Sequence, residues 1–121
     1  RAKGAIYAAC SMLVRHMQLS FDDLEQLFIA GGFGTYLDMP NAIFIGLLPD
    51  LPREKFAFVG NSSLVGARQI LLSHEAIIDA ENIAKKITYF ELSIEPQYMD
   101  EYVAALFFPH TDLLKFPSVK I

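Results

Sequence analysis

Three of the seven glycines in this sequence fall within four positions, in the stretch Leu27-Phe28-Ile29-Ala30-Gly31-Gly32-Phe33-Gly34-Thr35-Tyr36-Leu37-Asp38. A short apolar run that ends in glycines predicts a buried strand feeding a sharp turn. At such a turn the backbone approaches a ligand closely, and its peptide N–H groups are free to meet a phosphate or a ribose. That is the chemistry of nucleotide binding. The spacing is not that of dinucleotide folds, which need Gly-x-Gly-x-x-Gly with a helix starting inside it, nor that of a P-loop, which needs a Gly-Lys-Ser/Thr ending. The same glycines also serve a tight turn that binds nothing, and spacing alone does not separate the two readings.

A second stretch repeats the pattern. Phe56-Ala57-Phe58-Val59 is another short apolar run, and Gly60-Asn61-Ser62-Ser63 follows it with a turn and helix-capping residues. Asn61, Ser62 and Ser63 are placed to reach the same edge as the first glycines, although capping alone explains their types. The remaining candidates read as structural. Cys10 lies on the apolar stripe of a helix, where unpaired cysteine is commonly core, and a single cysteine excludes both an internal disulfide and a cysteine-ligated cluster. His16, His74 and His110 are far apart and none has metal-ligand spacing, so each is expected to be solvated or hydrogen-bonded. Asp22, Asp23 and Glu25 read as a helix start and a solvated face rather than a catalytic pair. No acid, base, nucleophile or metal constellation emerges, so no residue is assigned as catalytic or metal-ligating.

The elements that would position the glycine turns follow from periodicity and caps. Ala2, Ile6, Cys10, Leu13, Val14 and Met17 recur at three- to four-residue spacing, predicting an amphipathic helix over 3–17 with that stripe buried. Ser20 and Asp23 can cap a short helical turn. Asp38 ahead of Pro40 starts a brief helix through Ile43 that stops near Gly46, and a loop with two prolines spans 47–52. A helix is expected over 63–72. Ser73 caps another, with Ile77, Ala80, Ile83 and Ala84 on one face and Glu81 paired with Lys85 on the other. Ile87 to Leu92, rich in β-branched and aromatic residues, predicts a third strand. Pro96 opens a last helix whose Met99, Tyr102, Val103, Leu106 and Phe107 line one face before Pro109 ends it, and the tail through Phe116-Pro117-Ser118 is irregular but docked.

The whole reads as a single domain over 1–121, α/β in class, with a short, mainly parallel sheet covered by helices. With 121 residues, 53% of them hydrophobic and 20% charged, the chain has ample material for a core. Its mean hydropathy of +0.31 is high for a small domain, yet no apolar run approaches the roughly 20 residues of a membrane span. The surplus apolar surface and the few strands both call for a partner, either a second copy in a homo-oligomer or the remainder of a larger chain. A net charge of −4, with ten scattered Lys and Arg, argues against nucleic acid. One unpaired cysteine fits a cytoplasmic setting, and the absence of an initiating Met gives the chain the look of a segment excised from a longer one.

An apolar strand ending in Gly-Gly-x-Gly is similar to the adenosine motif of the superfamily of acetate and sugar kinases, heat-shock chaperones and actin. The likeness extends through Arg1-Ala2-Lys3-Gly4-Ala5-Ile6, Ile29 to Leu37, Ile45-Gly46-Leu47-Leu48-Pro49, Gly60 to Ala67, and Ala105-Leu106-Phe107-Phe108-Pro109-His110-Thr111. Together these blocks resemble the reductive activators of corrinoid proteins, ferredoxin-like proteins with a C-terminal actin-like ATPase domain. The resemblance covers nearly the whole chain. It implies a partial actin-like, ribonuclease H-like lobe forming the C-terminal fragment of that domain.

The resemblance further implies that the parent uses an N-terminal 2Fe-2S domain, absent here, and ATP to reduce a Co(II) corrinoid to Co(I). The corrinoid protein and the remainder of the parent chain are then the implied partners. Only the adenosine side of the ATP site carries over, onto Gly31, Gly32, Phe33 and Gly34, with Asn61, Ser62 and Ser63 beside them. Neither an Asp-x-Gly phosphate loop nor a matching metal carboxylate is present, so the isolated chain is expected to be catalytically inactive. A second expectation, of a different class, is an assembly or docking module that binds no nucleotide itself.

Overall fold

The structure, a computed structural model, describes residues 1–120, and of Phe33 the backbone alone. Among the described residues six α-helices and two strands follow one another as α1 (Ala2–His16), β1 (Leu27–Ala30), α2 (Gly32–Thr35), α3 (Met39–Phe44), β2 (Phe56–Gly60), α4 (Ser62–Leu72), α5 (His74–Ala84) and α6 (Pro96–Ala104), with 3-10 turns between them. The caps set most boundaries. Ser20 and Asp23 form a reciprocal capping box around the turn Phe21–Asp23. Asp38 Oδ1 accepts from the Asn41 amide at the start of α3, Asn61 Oδ1 from Leu64 at α4, and Ser73 Oγ from Ala76 at α5.

β1 and β2 pair in parallel, with Leu27 opposite Phe56 and Ala30 opposite Gly60, and the register shifts after Ile29. The core lies beneath the beginning of this sheet. Tyr7, Ile43, Leu48, Leu51, Phe56 and Phe116 form its centre, and Leu27 and Ile29 pack partly against it. The tail docks as expected: Phe116 is buried against Tyr7, with ring centroids 5.5 Å apart. Ser118 N and Oγ each donate to Asp50 at 2.7 Å.

Several expectations are corrected. The buried face of α1 is Lys3, Gly4, Tyr7, Ala8, Ser11 and Met12, whereas Ile6, Leu13 and Met17 of the apolar stripe are exposed. Small residues let α1 approach α6 closely: a Cβ on Gly4 would lie 3.1 Å from the Ala105 carbonyl oxygen. The polar residues on this face have partners, which removes the cost of burying them. Cys10, read as core, is exposed for the same reason. On α6 Glu101 is buried while Met99 and Val103 are exposed, and the helix ends at Ala104 rather than Pro109, with Ala105 buried and Phe107 exposed just beyond it. β1 is half-buried with alternating exposure, because only one face of the sheet is covered. No strand forms over 87–92; Ile87 and Tyr89 are exposed and a 3-10 turn occupies Leu92–Ile94, since propensity without an adjacent edge to pair with makes no sheet. Glu81 and Lys85 form no salt bridge; the salt bridges of the described residues converge on Glu101.

Candidate nucleotide edge

The two glycine turns lie side by side at the carboxyl end of the parallel strands. The Gly31 amide donates to the Gly60 carbonyl at 2.7 Å, tying the turn after β1 to the turn after β2. Gly31 has φ +92° and Gly60 φ +62°, conformations that favour glycine, and each redirects its strand into a helix. The carboxyl edge of parallel strands, where the chain turns into helices, is where open α/β sheets bind ligands. The turn expected over Gly31 to Gly34 thus contains the one-turn helix α2, which starts at Gly32.

Space around these glycines differs in a way that bears on binding. A Cβ on Gly31, Gly32 or Gly60 would meet nothing within 4 Å, so the backbone there is open. A Cβ on Gly34 would lie 2.8 Å from Ile29 Cγ2, which makes Gly34 a packing glycine that seats α2 on its own strand. Asn61 is committed by its Oδ1 to capping α4, while Ser62 and Ser63 sit exposed in the first turn of that 11-residue helix. Gly31, Gly32, Asn61, Ser62 and Ser63 therefore share one edge. The Phe33 side chain lies outside what is described. Gly60, whose carbonyl closes the pair of turns, is the member that motif reading passed over; glycine directly after an apolar run was the available signal.

The structure also gives the segment 109–112 a role. Glu101 gathers α1, α6 and the tail: its carboxylate accepts from Lys115 Nζ at 2.7 Å, Ser11 Oγ at 3.0 Å and Arg15 at 3.1 Å. Burial by itself would raise the Glu101 pKa, but the Lys115 ammonium, Arg15 and Ser11 together hold it below the ordinary carboxylate value. His110 packs between Tyr7 and Phe116 and accepts from the Asp112 amide at Nδ1, 2.9 Å away. Its proton therefore sits on Nε2, which is buried, has no hydrogen-bond partner and faces Glu101 Oε1 at 3.6 Å. Burial, followed by the Lys115 charge, lowers the His110 pKa. Lys3 Nζ donates to the Phe107 and Pro109 carbonyls, clamping the start of the chain to this loop. This network is structural, as expected for His110. His16 lies against Phe90 and His74 opens α5, so the three histidines stay apart.

Among the described residues no group of three or more His, Cys, Asp and Glu could hold a metal ion, and no helix is long and apolar enough to cross a membrane. One cysteine in 121 residues does not fit an iron–sulfur cluster, which takes several thiolates. The open backbone at Gly31, Gly32 and Gly60 leaves room for a ligand to approach closely. None of Gly31, Gly32, Gly34, Asn61, Ser62 and Ser63 carries a charged side chain of the kind that grips a triphosphate.

Residues 1–120 match the family model described as the C-terminal domain of RACo, the ASKHA domain. The chain is 38% identical over 102 residues to the corrinoid activation enzyme RamQ of Eubacterium limosum, covering 84% of this chain and 17% of that protein. It is 36% identical over 88 residues to a Co(II) methylated amine-specific corrinoid protein reductase of Methanosarcina barkeri, covering 73% and 16%. A solved structure, the reductive activator for a corrinoid, iron-sulfur protein, superposes with a TM-score of 0.92 at 51% identity, over 98% of this chain and 19% of that one. The chain thus spans less than one fifth of each of these relatives. It belongs to the family of C-terminal ASKHA domains of the reductive activators of corrinoid proteins.

Proposed function

We propose that this chain supplies the adenosine-facing edge of an ATP site in a reductive activator of corrinoid proteins. The observation that carries the reading is the Gly31–Gly60 bond, which sets two open glycine turns side by side at the carboxyl edge of the parallel strands. In this reading the backbone at Gly31, Gly32 and Phe33 lies against adenine or ribose, and Gly34 holds α2 in place. Ser62 and Ser63, at the N-terminus of α4, offer amide and hydroxyl donors to the first phosphate. Phosphate-gripping loops, metal ligands and the 2Fe-2S donor belong to the remainder of the parent chain. ATP, when bound there, supplies the free energy that makes a low-potential reduction of the Co(II) corrinoid in the partner protein feasible. By itself the chain turns over nothing.

The test is a calorimetric titration of ATP–Mg²⁺ into the isolated chain and into a complete activator, namely the 51% identical protein with its matching segment replaced by this one. Gly32→Asp is the variant, because its Cβ enters open space and leaves the fold intact while placing a negative charge against the ligand. The isolated chain is expected to bind no tighter than about the millimolar range, since most charge-assisted contacts are absent. The complete activator should bind, and Gly32→Asp should weaken it at least about tenfold, an effect of roughly 1.4 kcal/mol. Unchanged affinity in that variant would remove the glycine turns from the site.

A further inference from the structure

A cleft of about 370 Å³ opens between α1, the loop that follows it and the tail. Its volume is that of a small-molecule site, and none of its lining residues belongs to the nucleotide edge. Floor and rim differ in chemistry. Tyr7 and Ser11, one turn apart on α1, are buried and form the floor together with half-buried Lys115, whereas Leu19 and Leu114 on the rim are exposed, Leu114 to 90%. The Tyr7 ring is fixed by Phe21 and Phe116, with centroids 5.7 and 5.5 Å away. Its hydroxyl makes no hydrogen bond among the described residues. The fully enclosed polar side-chain atom without a partner is His110 Nε2 alone, so the Tyr7 hydroxyl is not sealed in the core but opens onto the cleft that Tyr7 lines. Burial, and next the Glu101 carboxylate, raise the Tyr7 pKa, so the hydroxyl keeps its proton and is a donor. Folded interiors pair such groups, and here the partner has to come through the cleft.

We propose that this cleft binds an organic monocarboxylate with an apolar chain. The carboxylate meets the Tyr7 hydroxyl, Lys115 and Arg15, and the chain lies along Val14 and Leu19 toward Leu114. Lys115 Nζ and Arg15 each direct one bond to Glu101, which leaves their other N–H groups for solvent or a ligand. Two cations against the single Glu101 carboxylate leave an excess of positive charge beside the Tyr7 hydroxyl. Two further carboxylates line the cleft: both oxygens of Asp50 accept from Ser118, and Asp22 is exposed and screened by solvent. Donors at the floor and apolar residues at the rim select the ligand. An inorganic anion leaves Leu19 and Leu114 in water, an alcohol forgoes the charge-assisted bonds, and an ammonium is repelled by the cations. The proposal is independent of ATP.

The test is calorimetric titration of butyrate and hexanoate into the complete activator carrying this segment, at neutral pH and constant ionic strength, without nucleotide. Hexanoate should bind at least about fivefold tighter than butyrate, from the methylenes it adds to the apolar wall. Tyr7→Phe removes a hydroxyl that has no partner in the fold, so the melting temperature should stay within about 3 °C while hexanoate binding weakens at least about tenfold. Leu114→Asp alters an exposed position and should weaken hexanoate as well. Absence of hexanoate binding would overturn the proposal, as would hexanol or hexylammonium binding equally well. Unchanged hexanoate affinity in Tyr7→Phe would overturn it too, and a larger loss of melting temperature there would give the hydroxyl an internal partner and remove the site. ATP–Mg²⁺ titrated into the same protein is read separately: its failure to bind where hexanoate binds would count against the nucleotide edge alone.

Discussion

Replacing Glu101 by Gln removes one charge from the network that joins α1, α6 and the tail, with almost no change in shape. The Glu101 side chain is 7% exposed and meets Lys115 at 2.7 Å, Ser11 at 3.0 Å and Arg15 at 3.1 Å. Hydrogen bonds to a charged group contribute about 1.5 to 3 kcal/mol each when buried. Arg15 is 45% exposed and recovers water on losing its partner, so its bond counts least, and Lys115, at 26%, counts more. Glutamine can still accept from Ser11 but turns an N–H donor toward a cation. The expected loss is about 2 to 4 kcal/mol, or roughly 8 to 16 °C in melting temperature for a domain of this size. The sign with pH is fixed by the lowered pKa. Glu101 contributes fully above its unfolded value of 4.5 and loses that contribution as pH falls through its lower folded value. Scanning fluorimetry at neutral pH and in steps toward acid should therefore show a gap between the two proteins that closes in acid. A gap below about 3 °C at neutral pH, or one that persists undiminished in acid, would refute the network as a stabilising centre.

His110→Asn keeps an acceptor for the Asp112 amide and removes the titrating ring. Because the folded pKa of His110 lies below 6.5, stability is full above that value and declines as pH falls from it toward the folded value. The variant should show a flatter melting profile just below pH 6.5, and an unchanged slope would mean that another group titrates there. Gly46→Ala would place a Cβ 2.1 Å from the Pro109 carbonyl oxygen at φ +73°, a loss above about 3 kcal/mol readable as insoluble expression or a large drop in melting temperature. Near-native stability would contradict the close approach of these two loops. Cys10 should react with a thiol reagent in the isolated native chain, slowly because its thiol pKa is raised; a requirement for denaturant would return it to the core.

The sequence made the local structure legible where caps and glycines act, because those signals depend on a few neighbouring residues. Asp38, Asn61 and Ser73 each start the helix their side chains predict, and the apolar run Leu27 to Ala30 is the strand it was read to be. What was illegible depended on tertiary partners. The stripe of α1 was read from hydrophobicity, yet the face that packs on α6 is chosen by Gly4 and Ala8, which allow close approach, and by partners that satisfy Lys3 and Ser11. Glu101 carried no local signal of its role, because Lys115 and Arg15 reach it from elsewhere in the chain. Ile87 to Leu92 had strand propensity with no edge beside it. At the candidate site the glycines were found by type, while the pairing of Gly31 with Gly60 needed the fold.

The central claim, that the turns after β1 and β2 form the adenosine edge of an ATP site, is tested most directly by an exchange footprint of ATP–Mg²⁺ on the complete activator carrying this segment. Saturating nucleotide should slow amide exchange at 31–34 and 61–64 and leave the far end of α5 unaffected. Unaltered exchange at both turns, in a protein that binds ATP, would contradict it.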